Sequence, residues 1–137
     1  MKKLLLASAA VLALAPGLAA ACDITVGVVL ELTGPAGEYG QAGAKSIEMA
    51  FRDLNDAGGV AGCTIKADTR DSQTQANIAV DAATQLVQVQ KVPAIIGGII
   101  SPMSIPILTS VTGPAKVLQV SPASSSPTLT ALGREGK

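Results

Sequence analysis

Hydrophobic positions follow two alternating rhythms along the chain. Ile24-Thr25-Val26-Gly27-Val28-Val29-Leu30 is a continuous apolar run rich in β-branched residues, which predicts a strand buried on both faces. From about Tyr39 to Ala57 the spacing lengthens: Ile47, Ala50, Phe51 and Leu54 recur at helical intervals, and Gly58-Gly59 supplies the stop. Cys63 to Asp68 alternates and predicts a second, more peripheral strand. Ser72 or Thr74 is placed to cap the next helix, with Ile78, Ala82, Leu86 and Val89 as its apolar stripe and Pro93 just past its end. Pro93 to Gly97 predicts strand three, and a helix follows from about Ser104 to Thr112, with Pro106 tolerable only in its first turn. Lys116 to Val120 predicts strand four, and Pro127 opens a last short helix.

This alternation predicts an α/β fold: three layers, a parallel sheet with helices on both faces, in strand order 2-1-3-4. That order puts a switch point between strands 1 and 3, the place where open α/β sheets bind ligands. The loops after strands 1, 3 and 4 converge there. Two of them bear serine: Gly97-Gly98-Ile99-Ile100-Ser101 and Ser121-Pro122-Ala123-Ser124-Ser125. Small hydroxyls there hydrogen-bond a small polar solute without adding charge.

The first 21 residues stand apart. Met1-Lys2-Lys3 is basic, Leu4 to Leu14 is apolar, Pro16-Gly17 breaks the run and Ala19-Ala20-Ala21 is a small-residue cleavage pattern. The apolar run is too short to span a bilayer, so residues 1–21 predict a cleaved secretory signal and residues 22–137 an exported domain. A retained N-terminal anchor is the alternative. The 137-residue chain has 10 basic and 10 acidic residues. Losing the leader removes Lys2 and Lys3 and leaves a slightly acidic surface, which argues against nucleic acid or anionic membrane as partner.

Cys22 and Cys63 precede strands 1 and 2, which are predicted neighbours. In an oxidising compartment that pair predicts a disulfide. The alternative is a lipidated Cys22, for which Leu18 lies one residue too far upstream. The chain contains no histidine, so no Ser-His-Asp or Cys-His site can be built within it, and a zinc site lacks its commonest nitrogen ligand. No phosphate-loop or dinucleotide fingerprint is present. These absences predict no enzyme, no metal and no cofactor. Asp68 and Asp71 are expected as solvated carboxylates.

Ile24-Thr25-Val26-Gly27-Val28, Leu32-Thr33-Gly34-Pro35-Ala36-Gly37-Glu38-Tyr39-Gly40 and Asn55-Asp56-Ala57-Gly58-Gly59-Val60-Ala61-Gly62 together resemble the N-terminal part of the branched-chain amino acid (Leu/Ile/Val) substrate-binding proteins of ABC transporters. Ile95-Ile96-Gly97 through Ser101, and Ser121-Pro122-Ala123, continue the match in order and spacing. The resemblance implies a type I periplasmic binding protein with two lobes and a hinge, of which residues 22–137 form an incomplete first lobe. It implies a small-molecule ligand such as an amino acid, a membrane ABC permease as partner, and a monomer when complete. Ser101 matches the serine that binds the ligand carboxylate through hydroxyl and backbone N–H, and Ala123 a residue that binds through its backbone. Ser125 stands where the family often has Thr, and Tyr39 matches an aromatic lining the cleft. Pro102 departs from the small polar residue usual after that serine. A ligand sensor of the same fold, without transport, is the rival reading. A hydrolase using Ser101 is disfavoured by the missing histidine and the lack of G-x-S-x-G.

Overall fold

A computed structural model describes residues 22–136. The leader predicted over residues 1–21 lies outside the described residues. The β-branched run forms β1 (Asp23–Leu30), followed by α1 (Gly37–Asp56), β2 (Thr64–Asp71), α2 (Ala76–Thr84), β3 (Ala94–Gly97), α3 (Ser101–Ile107), α4 (Gly113–Ala115), β4 (Leu118–Val120) and α5 (Pro127–Arg134). The four strands are parallel, in the order β2-β1-β3-β4. β1 and β2 run in register from Asp23↔Thr64 to Leu30↔Asp71, whereas β3 and β4 pair only from Ala94↔Leu118 to Ile96↔Val120.

Alternate residues of the central strands face opposite layers. Val28 and Leu30 point with Ile99 toward α1, where Ala44 and Ile47 cover them. Val29 and Ile95 point the other way, onto Ala79, Ala83 and Leu86 and onto Met103, Ile107 and Val111. Each fully buried aliphatic side chain contributes roughly 1.5–3 kcal/mol of transfer free energy, so this second face is the main core. The predicted three layers and strand order are both present.

The predicted stop of α1 is seen in atomic detail. Gly58 has φ +101°, its N–H donates to Asn55 O, and the Gly59 N–H reaches back to Leu54 O. That pair of bonds is a Schellman ending, which requires the left-handed residue only glycine adopts without cost.

Four expectations need correction. The inward stripe of α2 is Ala79, Ala83, Leu86 and Val87, and Val89 is 72% exposed. The helix widens into a π-type turn over Gln85–Val89. Within that wider turn Leu86 and Val87 are buried and Val89 faces outward, and Val92 fills the core instead. Neither Ser72 nor Thr74 caps α2, whose N-cap is Gln75 with no side-chain bond. α3 starts three residues early, at Ser101, so Pro102 occupies its first turn and Pro106 falls inside it. Proline there cannot donate to the ladder, and the helix relaxes into a second π-type turn over Leu108–Thr112. The fourth strand loses its first residues because Lys116, in the left-handed conformation, ends α4.

The Cys22–Cys63 disulfide is formed, with a Cα–Cα distance of 4.7 Å, and joins the chain just ahead of β1 and β2. No helix among the described residues is long and apolar enough to cross a membrane.

Candidate functional site

Three loops leave the carboxyl ends of β1, β3 and β4 on the same edge of the sheet. Their backbones would be expensive to gather unless their polar groups found partners. The β3–α3 loop begins at Gly97, whose φ is +140° and where a Cβ would lie 1.9 Å from Val29 O. Only glycine permits so close an approach. From there, side chains of neighbouring elements take the loop's backbone groups one by one. Gln119 on β4 donates from Nε2 to Gly97 O (2.8 Å) and Ser104 O (3.0 Å), while its Oε1 accepts from the Thr112 hydroxyl (2.6 Å). Ser121 donates to Gly98 O. The hydroxyls of Ser104, Ser124 and Ser121 lie in a row at 2.6 Å spacings, with Ser124 also donating to Ile99 O. Glu31, fully buried at the end of β1, accepts the Ile99 N–H (3.0 Å) and the Ile100 N–H (3.4 Å).

Ser101 ends this loop and opens α3. Its Oγ accepts the backbone N–H groups of both Ser125 and Ser126, each at 3.1 Å. Two of the four sequence-predicted site residues, Ser101 and Ser125, are therefore joined directly. Accepting two bonds leaves the Ser101 hydroxyl proton to donate elsewhere, and its N–H, first in the helix, has no intrahelical partner. The other two predicted residues meet at a neighbouring hollow of about 280 Å³, lined by Tyr39, Gly43, Ile47, Ile96, Ile99 and Ala123 among others. Its wall is predominantly apolar, and Tyr39 stands 67% exposed at α1. Ile99 and Ala123, in its wall, each lie two residues from Ser101 or Ser125.

A second loop pair sits at the ends of β1 and β2. Asp71 Oδ1 accepts from the N–H groups of Leu32 (3.0 Å), Thr33 (3.2 Å) and Gln73 (2.8 Å), and Oδ2 from the Thr33 hydroxyl (2.6 Å). Thr74 donates to Thr33 O and accepts from the Ala36 N–H. Burial pushes the Asp71 carboxyl up, but the Thr33 hydroxyl and the Gln73, Thr33 and Leu32 amides outweigh it and hold the group below the usual carboxylate range. Asp71 is thus a bonded strut between loops, and the expectation of a solvated carboxylate is corrected. Asp68 is likewise engaged, by a two-pronged pair with Arg70 at 2.7 and 2.9 Å.

Sequence reasoning missed Glu31, Gln119, Ser104 and Thr112 as parts of the site's frame. For Glu31 a signal existed: it is a lone carboxylate between Leu30 and Leu32, directly after a buried strand. Among the described residues no cluster of His, Cys, Asp or Glu is arranged to hold a metal ion.

A doubly wound parallel sheet whose strand-end loops converge on neutral hydroxyls is the architecture of an α/β ligand-binding lobe. The chain belongs to the periplasmic binding protein family, whose profile matches residues 23–132. It is 33% identical over 117 residues to Leu/Ile/Val-binding protein homolog 3 of Brucella melitensis, covering 85% of this chain and 31% of that protein. It is 32% identical over 116 residues to the Leu/Ile/Val/Thr-binding protein of Salmonella typhimurium, again covering 85% and 31%. In three dimensions it is similar to the branched-chain amino acid transporter substrate-binding protein LivJ of Streptococcus pneumoniae, solved with isoleucine: TM-score 0.76, 28% identity, 80% of this chain and 31% of that one. The chain spans about a third of the length of the curated relatives it matches.

Proposed function

We propose that residues 22–137 form the first lobe of an extracytoplasmic solute-binding protein that captures a small amino acid or related carboxylate or amide and hands it to a membrane ABC permease. The observation that carries this reading is the Ser101 bridge: one hydroxyl ties the β3–α3 loop to the β4–α5 loop and still has a proton to give. The Ser101 N–H and hydroxyl and the Ser125 hydroxyl are neutral donors on two loops that the Ser101 bridge holds together. Such donors hold a carboxylate well, because hydrogen bonds to a charged acceptor are roughly twice as strong as neutral ones. The hollow beside Tyr39 and Ala123 accepts the ligand's apolar part. Relatives solved with isoleucine and with leucine point to the same ligand class. Capture by closure follows from differential contact: ligand touching two lobes favours the closed state over the open one.

The test is a titration of 15N-labelled protein with leucine, isoleucine, valine, threonine and the corresponding amides. Amide signals of Ser101, Ala123 and Ser125 should shift with at least one of them, and Ser101→Ala should abolish the shift while leaving the fold intact. Silence of those signals across the whole panel overturns the reading for this chain.

A further inference from the structure

Glu31 is a charged side chain with no solvent exposure, and it takes no part in the ion pairs found among the described residues, which join Arg52 to Asp53, Lys66 to Asp23 and Arg70 to Asp68. Burying a carboxylate costs several kcal/mol unless hydrogen bonds replace its water. Both of its oxygens are used: Oε2 accepts from Ile99 N and Oε1 from Ile100 N. These two amides lie outside every strand and helix, and the next residue is Ser101. The contact spans 68 residues of sequence and joins the central strand directly to the loop that presents Ser101. Its neighbour Gly98 leaves room for it, since a Cβ there would stand 2.9 Å from Glu31 Oε1.

We infer that Glu31 is a positioning residue for the ligand loop: its carboxylate fixes the Ile99 and Ile100 amides and thereby the direction of the Ser101 N–H and hydroxyl. The inference rests on the reading of Ser101 as a ligand contact. The physical argument is one of division of labour. Gln119, Ser121 and Ser124 hold the loop's carbonyls. Among the described residues the two amides have no partner but Glu31. Without it they would turn toward other acceptors, and the Ser101 donors would lose their aim. A neutral side chain of the same size cannot replace it, because a glutamine offers one acceptor oxygen where two N–H groups wait and turns an N–H₂ donor toward the other.

The experiment is amide hydrogen exchange by NMR on the 15N-labelled protein and on Glu31→Gln, with leucine as the probe of binding. In the unaltered protein Ile99 and Ile100 should be protected although they lie outside regular structure. In Glu31→Gln their protection should fall at least tenfold, the Ser101 signal should move, and leucine should bind at least tenfold more weakly, while Val28, Val29 and Leu30 stay protected. If Glu31→Gln does not fold, Glu31→Asp makes the same comparison, keeping the charge but withdrawing it by one methylene. Unprotected Ile99 and Ile100 amides in the unaltered protein overturn the inference. So does an even loss of protection across β1 and the loop, which would make Glu31 a residue of the fold alone. If neither leucine nor any other member of that amino-acid and amide panel moves a signal in the unaltered protein, the solute-binding reading fails separately, and exchange at Ile99 and Ile100 still decides the role of Glu31.

Discussion

The two halves of the sheet are held by different chemistry. β1 and β2 pair over their whole length, joined ahead of the strands by the Cys22–Cys63 disulfide and after them by Asp71, whose oxygens accept four hydrogen bonds. β3 and β4 pair over three residues, and β4 leaves Leu118 and Val120 64% and 50% exposed. Between β3 and β4 the ties are neutral groups, Gln119, the serine row and the Ser101 bridge, while the Glu31 carboxylate reaches the same loop from the end of β1. The difference is functional. A carboxylate such as Asp71 donates nothing, so at the β1–β2 corner it acts as frame and has no proton to give a ligand. A hydroxyl both accepts and donates, so the β3–β4 corner is held in place and still has protons to offer a ligand.

The largest way to break this contrast is to cut the frame's covalent tie. Cys63→Ser opens a loop of 41 residues, for which the chain-entropy relation gives a loss of about 4 kcal/mol. Denaturant unfolding should show it as a large drop in midpoint, and reducing agent should lower the unaltered protein to about the same midpoint. Equal midpoints with and without reductant would mean that the tie contributes little and that the β1–β2 ladder alone makes the frame.

Next comes the neutral half. Gln119→Leu keeps volume but strands the buried Gly97 carbonyl and leaves the fully buried Thr112 hydroxyl only its long 3.4 Å bond to Ile107 O. Leaving such groups unpaired costs about 2 kcal/mol, and the loss should be accompanied by weaker ligand-induced shifts at Ser101. A stability loss without any change at Ser101 would separate the β4 edge from the site.

How much of this was legible in the residues follows the same divide. Strand order, the Gly58-Gly59 stop, the cysteine pair and the convergence of Ser101 with Ser125 all rest on local pattern or on topology, and each appears as expected. Leu86 faces inward as expected but Val89 does not, because the widening at Gln85–Val89 leaves no mark in a 3.6-residue period. The start of α3 was missed because Pro102 reads equally as a breaker and as a first-turn residue. Glu31, Asp71 and Gln119 take their roles from partners that are distant in sequence, 68, 39 and 22 residues away in the bonds to Ile99, Leu32 and Gly97. No spacing rule reaches that far.

A smaller, pH-dependent difference sharpens the comparison. The Asp71 carboxyl is held below its usual range in the folded state. A depressed pKa adds stability above the unfolded value of about 3.9, and that addition disappears as pH falls through the folded value. Asp71→Asn should therefore cost about 1 kcal/mol near neutral pH, and its curve should converge with that of the unaltered protein under acid conditions. A constant offset at every pH would assign the effect to lost geometry instead of charge.

The smallest effect should have the opposite sign. Ser72 follows β2 directly, is fully buried, and is the one buried side chain among the described residues whose polar atom lacks a hydrogen-bond partner. Its backbone does the useful work: the N–H donates to Leu30 O and the carbonyl accepts from Gln75 N. An alanine keeps both bonds and removes the stranded hydroxyl. Because an unpaired buried donor carries a desolvation cost of about 1–3 kcal/mol, and the space left is no larger than one oxygen, Ser72→Ala should be neutral or stabilise by up to about 1 kcal/mol. Thermal unfolding reads this directly. A clear destabilisation would show that the hydroxyl has a partner in solution, and that the β1–β2 corner is tied by one more neutral group than the comparison allows.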